Sequence, residues 1–130
     1  MRPPAYVYQS QVIKVYDGDT ITCVLDLGMS ISRTVSCRLA GIDTPEIRTK
    51  TAGEKEAAYA ARDRVRDLIL DKEVVVQSLT KPDKYGRLLV KVWTEDGTCV
   101  NDLLISEGHA ITYDGGKKVP WSEWPTLVAQ

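Results

Sequence analysis

The chain opens on alternating stretches rich in Val, Ile, Tyr and Thr, over residues 6–16 and again over 19–27, with the dipeptide Asp17-Gly18 between them. These runs predict two strands, and Asp-Gly at the junction predicts a tight hairpin turn whose glycine takes a positive φ. From Met29 to Ile42 the period of two continues, with Ile31, Arg33, Val35, Cys37 and Leu39 on one face and Ser32, Thr34, Ser36, Arg38 and Ala40 on the other. Arg38 therefore projects from the polar face of a third strand whose opposite face is mostly core. Three strands joined by short turns predict a meander.

Over residues 52–70 the period becomes helical. Ala57, Ala58, Ala61, Val65, Leu68 and Ile69 form one apolar stripe, and Lys55, Glu56, Arg62, Asp63 and Arg66 read as a solvated face. Residues 74–76 and 88–93 predict two more strands, connected by the loop 80–87. Asn101 is placed to cap a helix over 102–107 that Gly108 stops. Beyond Tyr113 the pattern dissolves into a Gly-Gly-Lys-Lys loop and a segment in which Trp121 and Trp124 are bracketed by Pro120 and Pro125. The simplest expectation is that the tryptophans dock on the body of the fold as a lid. The alternative is that Lys117, Lys118 and one tryptophan lengthen a substrate groove by charge and stacking.

Five strands with a helix after the third predict an α+β, mainly β chain: a small closed barrel of the OB type with two to three helices, an α+β sandwich being the structural alternative. A length of 130 residues, 43% apolar, suits one domain, with the core over about 6–113 and a tail over 114–130. The formal net charge of −1 provides no general positive field, so any contact with a polyanion must be local. Three cysteines without CxxC spacing, and His109 as the single histidine, do not fit a zinc site. Cys23 and Cys37 fall in neighbouring strands as small core fillers, and free thiols suit a reducing compartment. Residues 1–6 have no apolar core and no run is long enough to span a membrane, so the expected location is cytoplasmic, a virus-encoded intracellular enzyme included.

Three short runs carry the chemistry: Asp17-Gly18-Asp19-Thr20, then residues 38–46 (Arg-Leu-Ala-Gly-Ile-Asp-Thr-Pro-Glu), then Asp83-Lys84-Tyr85-Gly86-Arg87. Asp19 beside a turn can meet Asp43 at a strand end if the strands are neighbours, and two carboxylates suit a hard divalent cation. Thr44 precedes Pro45, which biases it to extended backbone and makes its carbonyl a plausible third ligand. Glu46, three residues beyond Asp43, is placed to accept a proton from water or orient it. Arg38 and Arg87 supply planar forks for phosphate oxygens, although each alone fits a structural ion pair as well. Together these parts suit a metal-assisted attack on a phosphodiester.

In order and spacing the three runs resemble the staphylococcal nuclease family, over about residues 10–110. The resemblance implies an OB-fold barrel and calcium-dependent hydrolysis of DNA and RNA, single strands preferred, leaving 3′-phosphate ends. It implies that Asp19, Asp43 and the Thr44 carbonyl bind calcium, for which magnesium or manganese could substitute by ligand chemistry. It also implies that Glu46 handles the attacking water, as base or as positioner, while Arg38 and Arg87 clamp phosphate. Lys84 and Tyr85 match positions that contact a terminal phosphate. Tyr113 lies near an aromatic that stacks on a base, with core packing or loop anchoring as the alternative. A monomer is expected. The rival reading is a non-catalytic nucleic-acid or protein-binding module on the same barrel, which typically loses acidic and arginine positions that this chain keeps.

Overall fold

A computed structural model describes residues 6–124. The predicted strands become β1 (Val7–Val15), β2 (Thr20–Gly28), β3 (Ile31–Leu39), β5 (Glu73–Ser78) and β6 (Leu88–Trp93), closed into a barrel in the order β1-β2-β3-β6-β5. Closure depends on a parallel pairing of β3 with β6, in which Cys37, Arg38 and Leu39 face Leu88, Leu89 and Val90. The other barrel pairs are antiparallel. Closing the sheet removes the exposed edges that a five-strand meander would otherwise present.

The interior follows the alternation. Ile21, Cys23 and Leu25 of β2 and Val35, Cys37 and Leu39 of β3 point inward and are buried. In β1 the register slips between Val12 and Lys14, so that Val12 and Val15 both face inward while Ile13 is left exposed. A bulge of this kind bends a strand and helps a small sheet curl. Both Cys23 and Cys37 are fully buried free thiols, as expected for core fillers.

Helix α1 (Glu54–Ile69) caps the barrel with Ala58, Ala61, Val65 and Ile69. Helix α2 (Val100–Ser106) packs Val100 and Leu104 into the same core, and Gly108, at φ +80°, ends it. Burying each aliphatic side chain of this size contributes on the order of 1.5–3 kcal/mol, before the entropy of ordering the chain is counted. Two short strands absent from the sequence expectation, β4 (Ile42–Asp43) and β7 (Ile111–Thr112), pair outside the barrel. Gly41, at φ +78°, makes the corner between β3 and β4 that Met29–Ile42 as one strand could not make. A single 3₁₀ turn, η1 (Trp121–Glu123), lies near the end of the described chain.

Two local expectations are corrected. Gly18 is not among the glycines with positive φ. A Cβ built on it would lie 2.8 Å from Thr44 Cγ2 and 3.0 Å from Ala61 Cβ, so this glycine is needed for close approach rather than for turn conformation. Asn101 does not cap α2, which starts one residue earlier behind Cys99 and has no side-chain cap. Instead Asn101 is buried: its Oδ1 accepts the Val92 N–H at 3.1 Å, and its Nδ2 donates to the carbonyls of Ala40 at 2.8 Å and Val90 at 3.1 Å. The side chain ties α2 to β6 and to the corner leading into β4.

Candidate active site

The β1–β2 turn and the β3–β4 corner meet at one mouth of the barrel. Leu39 N–H donates to the Asp19 carbonyl at 2.8 Å, which fixes the turn against the end of β3. Thr44 N–H donates to Asp19 Oδ2 at 3.3 Å, and Thr44 packs over Gly18. Asp19 and Asp43 thereby share one guanidinium nitrogen: Arg38 Nη2 lies 3.4 Å from Asp19 Oδ2 and 3.6 Å from Asp43 Oδ1. Arg38 Nη1 donates to the carbonyls of Leu39 at 3.2 Å and Ile42 at 3.1 Å, holding the fork in this pose. The expected meeting of Asp19, Arg38, Asp43 and Thr44 is thus present in the geometry.

Asp43 is only 3% exposed, and its Oδ1 accepts no hydrogen bond; Thr44 Oγ1 is likewise buried without a partner. A buried carboxylate oxygen with no donor is costly unless a positive charge faces it. Burial pushes the Asp43 carboxyl above its ordinary range; Lys118 and Arg38 pull it back, while Asp19 and Glu46 push further up. Asp17, beside Asp19, is raised to about 7, by burial first and then by the charge of Asp19. Asp17 Oδ1 also accepts the Asp19 N–H at 3.0 Å, which shapes the turn. Among the described residues no three acidic, His or Cys side chains close on one point. A cation held here would draw on Asp19, Asp43 and backbone oxygen, a donor set that fits a hard divalent ion with open positions.

Glu46 follows on the loop after β4, with its side chain 57% exposed and facing solvent. The loop is anchored by a residue that local pattern does not mark. Glu54, in the first turn of α1, is buried; its Oε2 accepts the Glu46 N–H at 2.9 Å and its Oε1 the Thr49 hydroxyl at 2.8 Å. Its signal in the sequence is spacing: Glu54 stands four residues before Ala58 and seven before Ala61, on the buried stripe.

Arg87 and its neighbours form a second cluster. Arg87 N–H and Nε donate to Asp83 at 2.9 Å each, Tyr85 N–H donates to the same carboxylate at 2.8 Å, and Gly86 takes φ +78°. Burial pushes the Asp83 carboxyl up, but the hydrogen bonds from Arg87 and Tyr85 and the charge of Arg87 together outweigh it and hold the group below its usual range. The Tyr85 ring lies 5.3 Å from the Arg87 guanidinium carbon and 5.1 Å from Lys84 Nζ, and Tyr85 is 71% exposed. Among the described residues no hydrogen bond or ion pair joins this cluster to Asp19, Asp43 or Glu46. The β3–β6 pairing places this cluster beside the end of β3, because Arg87 immediately precedes the Leu88 that faces Cys37, next to Arg38.

Tyr113 reaches the site through β7. Its N–H donates to the Gly41 carbonyl at 2.8 Å, and its ring lies 5.5 Å from the Arg38 guanidinium carbon. Its hydroxyl donates to the Gly116 carbonyl at 2.7 Å, so the loop-anchoring alternative describes one end of this side chain. The loop that follows brings in Lys118, whose Nζ lies 3.6 Å from Asp43 Oδ1 and 3.5 Å from Glu46 Oε1. Burial lowers the tendency of Lys118 to hold its proton, but Asp43 and Glu46 more than reverse this and raise it. Trp124 is buried, its Nε1 donates to the Val119 carbonyl at 2.8 Å, and its ring centre is 5.4 Å from that of Trp121. Its burial is that of a docked tryptophan, and the contacts named for it lie within residues 119–124; Pro125 lies outside the described residues.

A closed OB-type barrel with a carboxylate pair, flanking cations and aromatic rings at its mouth is an architecture suited to binding polyanionic chains. The family model for staphylococcal nuclease homologues matches residues 36–123, and the chain belongs to that family. Among curated relatives it is 33% identical over 106 residues to a protein of Escherichia coli O157:H7 named an uncharacterized endonuclease, covering 80% of this chain and 60% of that one. It is 31% identical over 119 residues to a micrococcal nuclease of Shigella flexneri, covering 85% and 62%. Endonuclease YhcR of Bacillus subtilis (strain 168) matches at 34% over 113 residues, covering 82% of this chain but 9% of that protein. The chain therefore spans about three fifths of the first two relatives and a small part of the third. Among the described residues no helix is long and apolar enough to cross a membrane.

Proposed function

We propose that this chain is a calcium-dependent nuclease that hydrolyses phosphodiester bonds of DNA and RNA, prefers single strands, and leaves 3′-phosphate ends. One observation carries the reading: Asp43 Oδ1 is buried without a hydrogen-bond donor, and a second carboxylate, Asp19, stands on the same guanidinium. Asp19, Asp43 and the Thr44 carbonyl would hold the cation, and magnesium or manganese would accept the same oxygens. When bound, the cation supplies positive charge that polarises a phosphate oxygen and makes nearby water more acidic.

The residues of the chain do the rest. Glu46, exposed beside the pair, takes a proton from the attacking water or aims it in line at phosphorus. The water oxygen forms the new bond to phosphorus, the bond to the 5′-oxygen breaks, and that oxygen takes its proton from solvent. Arg38 and Arg87 offset charge on the equatorial oxygens. Arg87 is tethered to Asp83 through Nε, which leaves its terminal nitrogens to face a phosphate. Lys84 and Tyr85 take a terminal phosphate and Tyr113 a base. The chain acts as a monomer, and its three free cysteines support a reducing, cytoplasmic setting.

The test is end-group analysis of single-stranded DNA and RNA oligonucleotides after incubation with calcium. Products carrying 3′-phosphate and 5′-hydroxyl ends support the reading. Products with 5′-phosphate ends would overturn the assigned direction of bond breaking, and intact substrate with retained binding would make the chain a binding module.

A further inference from the structure

One charged group at the mouth comes from outside all three sequence motifs. Lys118 places its ammonium between Asp43 and Glu46, 3.6 Å from one carboxylate and 3.5 Å from the other. Its partner oxygen on Asp43 is the buried atom that accepts no hydrogen bond. Both cations that face this oxygen, Arg38 Nη2 and Lys118 Nζ, stand at 3.6 Å, within attraction but beyond hydrogen-bonding distance. They differ in freedom. Arg38 is fixed by two backbone carbonyls and its side chain is 12% exposed, whereas the Lys118 side chain is 51% exposed.

The loop around Lys118 is tied on both sides. Before it, Tyr113 is fixed to Gly41 and Gly116, and Gly116 N–H donates to Asp114 Oδ1 at 2.9 Å. After it, the Val119 carbonyl accepts from the indole of the buried Trp124. The backbone thus delivers the ammonium to the site, while a flexible four-carbon stem lets the charge move locally. The Tyr113 ring, 5.9 Å from Nζ, offers it a second resting face beside the carboxylates.

Resting on the nuclease reading above, we propose that Lys118 is a tethered stand-in cation: it holds the Asp43–Glu46 pair in the cation-free enzyme, competes with calcium for it, and once displaced holds a non-bridging phosphate oxygen of the substrate. A divalent ion at Asp43 Oδ1 repels a neighbouring ammonium twice as strongly as a unit charge would at the same distance. Of the two cations facing this oxygen Lys118, unlike the anchored Arg38, is free to move away. A compact, rotatable ammonium suits such an exchange better than a rigid fork does. The displaced charge remains near the reaction centre, where an incoming phosphodiester supplies the anion it has lost.

The experiment is calorimetric titration of the whole chain with calcium alone, for the wild type, Lys118→Met, Lys118→Arg and, as a control for general loop charge, Lys117→Met. Thermal melts first establish that each is folded. Removing a competing unit charge should tighten calcium binding by about tenfold in Lys118→Met, equivalent to about 1.4 kcal/mol. Lys118→Arg and Lys117→Met should stay within about threefold of wild type, against that tenfold expectation. At saturating calcium, Lys118→Met should raise KM for a single-stranded oligonucleotide with kcat little changed, and Lys118→Arg should restore KM. Unchanged or weaker calcium binding by Lys118→Met, with the wild type binding normally, overturns the competition, and an unchanged KM overturns the phosphate contact. Failure of every folded variant and of the wild type to bind calcium would instead remove the nuclease reading, and this inference with it.

Discussion

Replacing Glu54 tests whether the position of Glu46 is built by the fold or is a local property of its loop. Glu54 is buried and its two oxygens accept one hydrogen bond each, from the Glu46 N–H at 2.9 Å and the Thr49 hydroxyl at 2.8 Å. Hydrogen bonds to a charged acceptor contribute roughly 1.5–3 kcal/mol each, and a truncated partner leaves its donors unpaired. The two bonds share one carboxylate, and residues 44–53 can relax toward solvent, so the losses do not add in full. Glu54→Ala should therefore cost about 2–4 kcal/mol of unfolding free energy, with Glu54→Gln roughly half of that. For a chain of this length the alanine variant should melt about 8–15 °C lower. The stability assay is urea unfolding followed by tryptophan fluorescence. The functional assay is cleavage of a single-stranded oligonucleotide at a temperature where the variant remains folded. A carboxylate displaced by about 1 Å can cost on the order of a hundredfold in rate, so kcat should fall at least tenfold in Glu54→Ala with calcium affinity nearly unchanged. An alanine variant as stable as wild type and fully active would refute the role of Glu54 as the anchor of this loop.

Other expectations concern the same architecture. Asn101→Leu leaves the Val92 N–H and the Ala40 carbonyl without their side-chain partner and should destabilise the fold by about 2–4 kcal/mol in chemical denaturation. Gly18→Ala places a methyl 2.8 Å from Thr44 Cγ2 and should weaken calcium binding in calorimetry, with Thr44→Ser added in the same chain recovering part of the loss. Arg38→Lys keeps the charge but cannot serve two carbonyls and a carboxylate at once; cleavage should fall at least tenfold, and near wild-type kcat would argue against a fork-like role. Asp17 supplies a pH signature. Its folded pKa of about 7 lies above the ordinary carboxyl value of 3.8, so ionisation favours the unfolded chain. Its contribution to stability is present below about pH 4 and is lost as pH rises toward 7, where Asp17→Asn should flatten the decline in calcium-free melts.

The barrel was readable because its strands are half-buried and their period of two is strong: Ile21, Cys23, Leu25, Val35, Cys37 and Leu39 are inside, as the alternation requires. Much of the candidate site was readable for a related reason. Arg38 and Asp43 lie on one short stretch of chain, and the β2–β3 register brings Thr20, next to Asp19, opposite Arg38. What the pattern did not reveal depends on contacts distant in sequence or on a polar residue placed in an apolar stripe. Glu54 shows its burial only through its spacing from Ala58 and Ala61, and its role as an anchor emerges only when Glu46 is seen against it. Asn101 satisfies every local rule for a cap, yet its side chain turns to carbonyls sixty-one and eleven residues away. Lys118 belongs to a glycine-rich stretch without periodicity; its charge suggested a longer groove, but its place against Asp43 comes from the pairing of β4 with β7 and the tie of Tyr113 to Gly41. Gly18 shows the same limit: an Asp-Gly pair signals a turn, but the need for a missing Cβ comes from Thr44, twenty-six residues on.

The most direct measurement is single-turnover cleavage of end-labelled denatured DNA and RNA by the wild type and by Glu46→Gln, with calcium, with magnesium and with chelator, alongside calcium titrations of Glu46→Gln and Asp43→Asn. Wild-type cutting should require the divalent ion. Glu46→Gln should lose at least a hundredfold in rate while still binding calcium, and Asp43→Asn should lose calcium binding first. Cleavage that persists in chelator, or equal loss of calcium by both variants, would contradict the division of labour between the ion-holding pair and the residue that handles water.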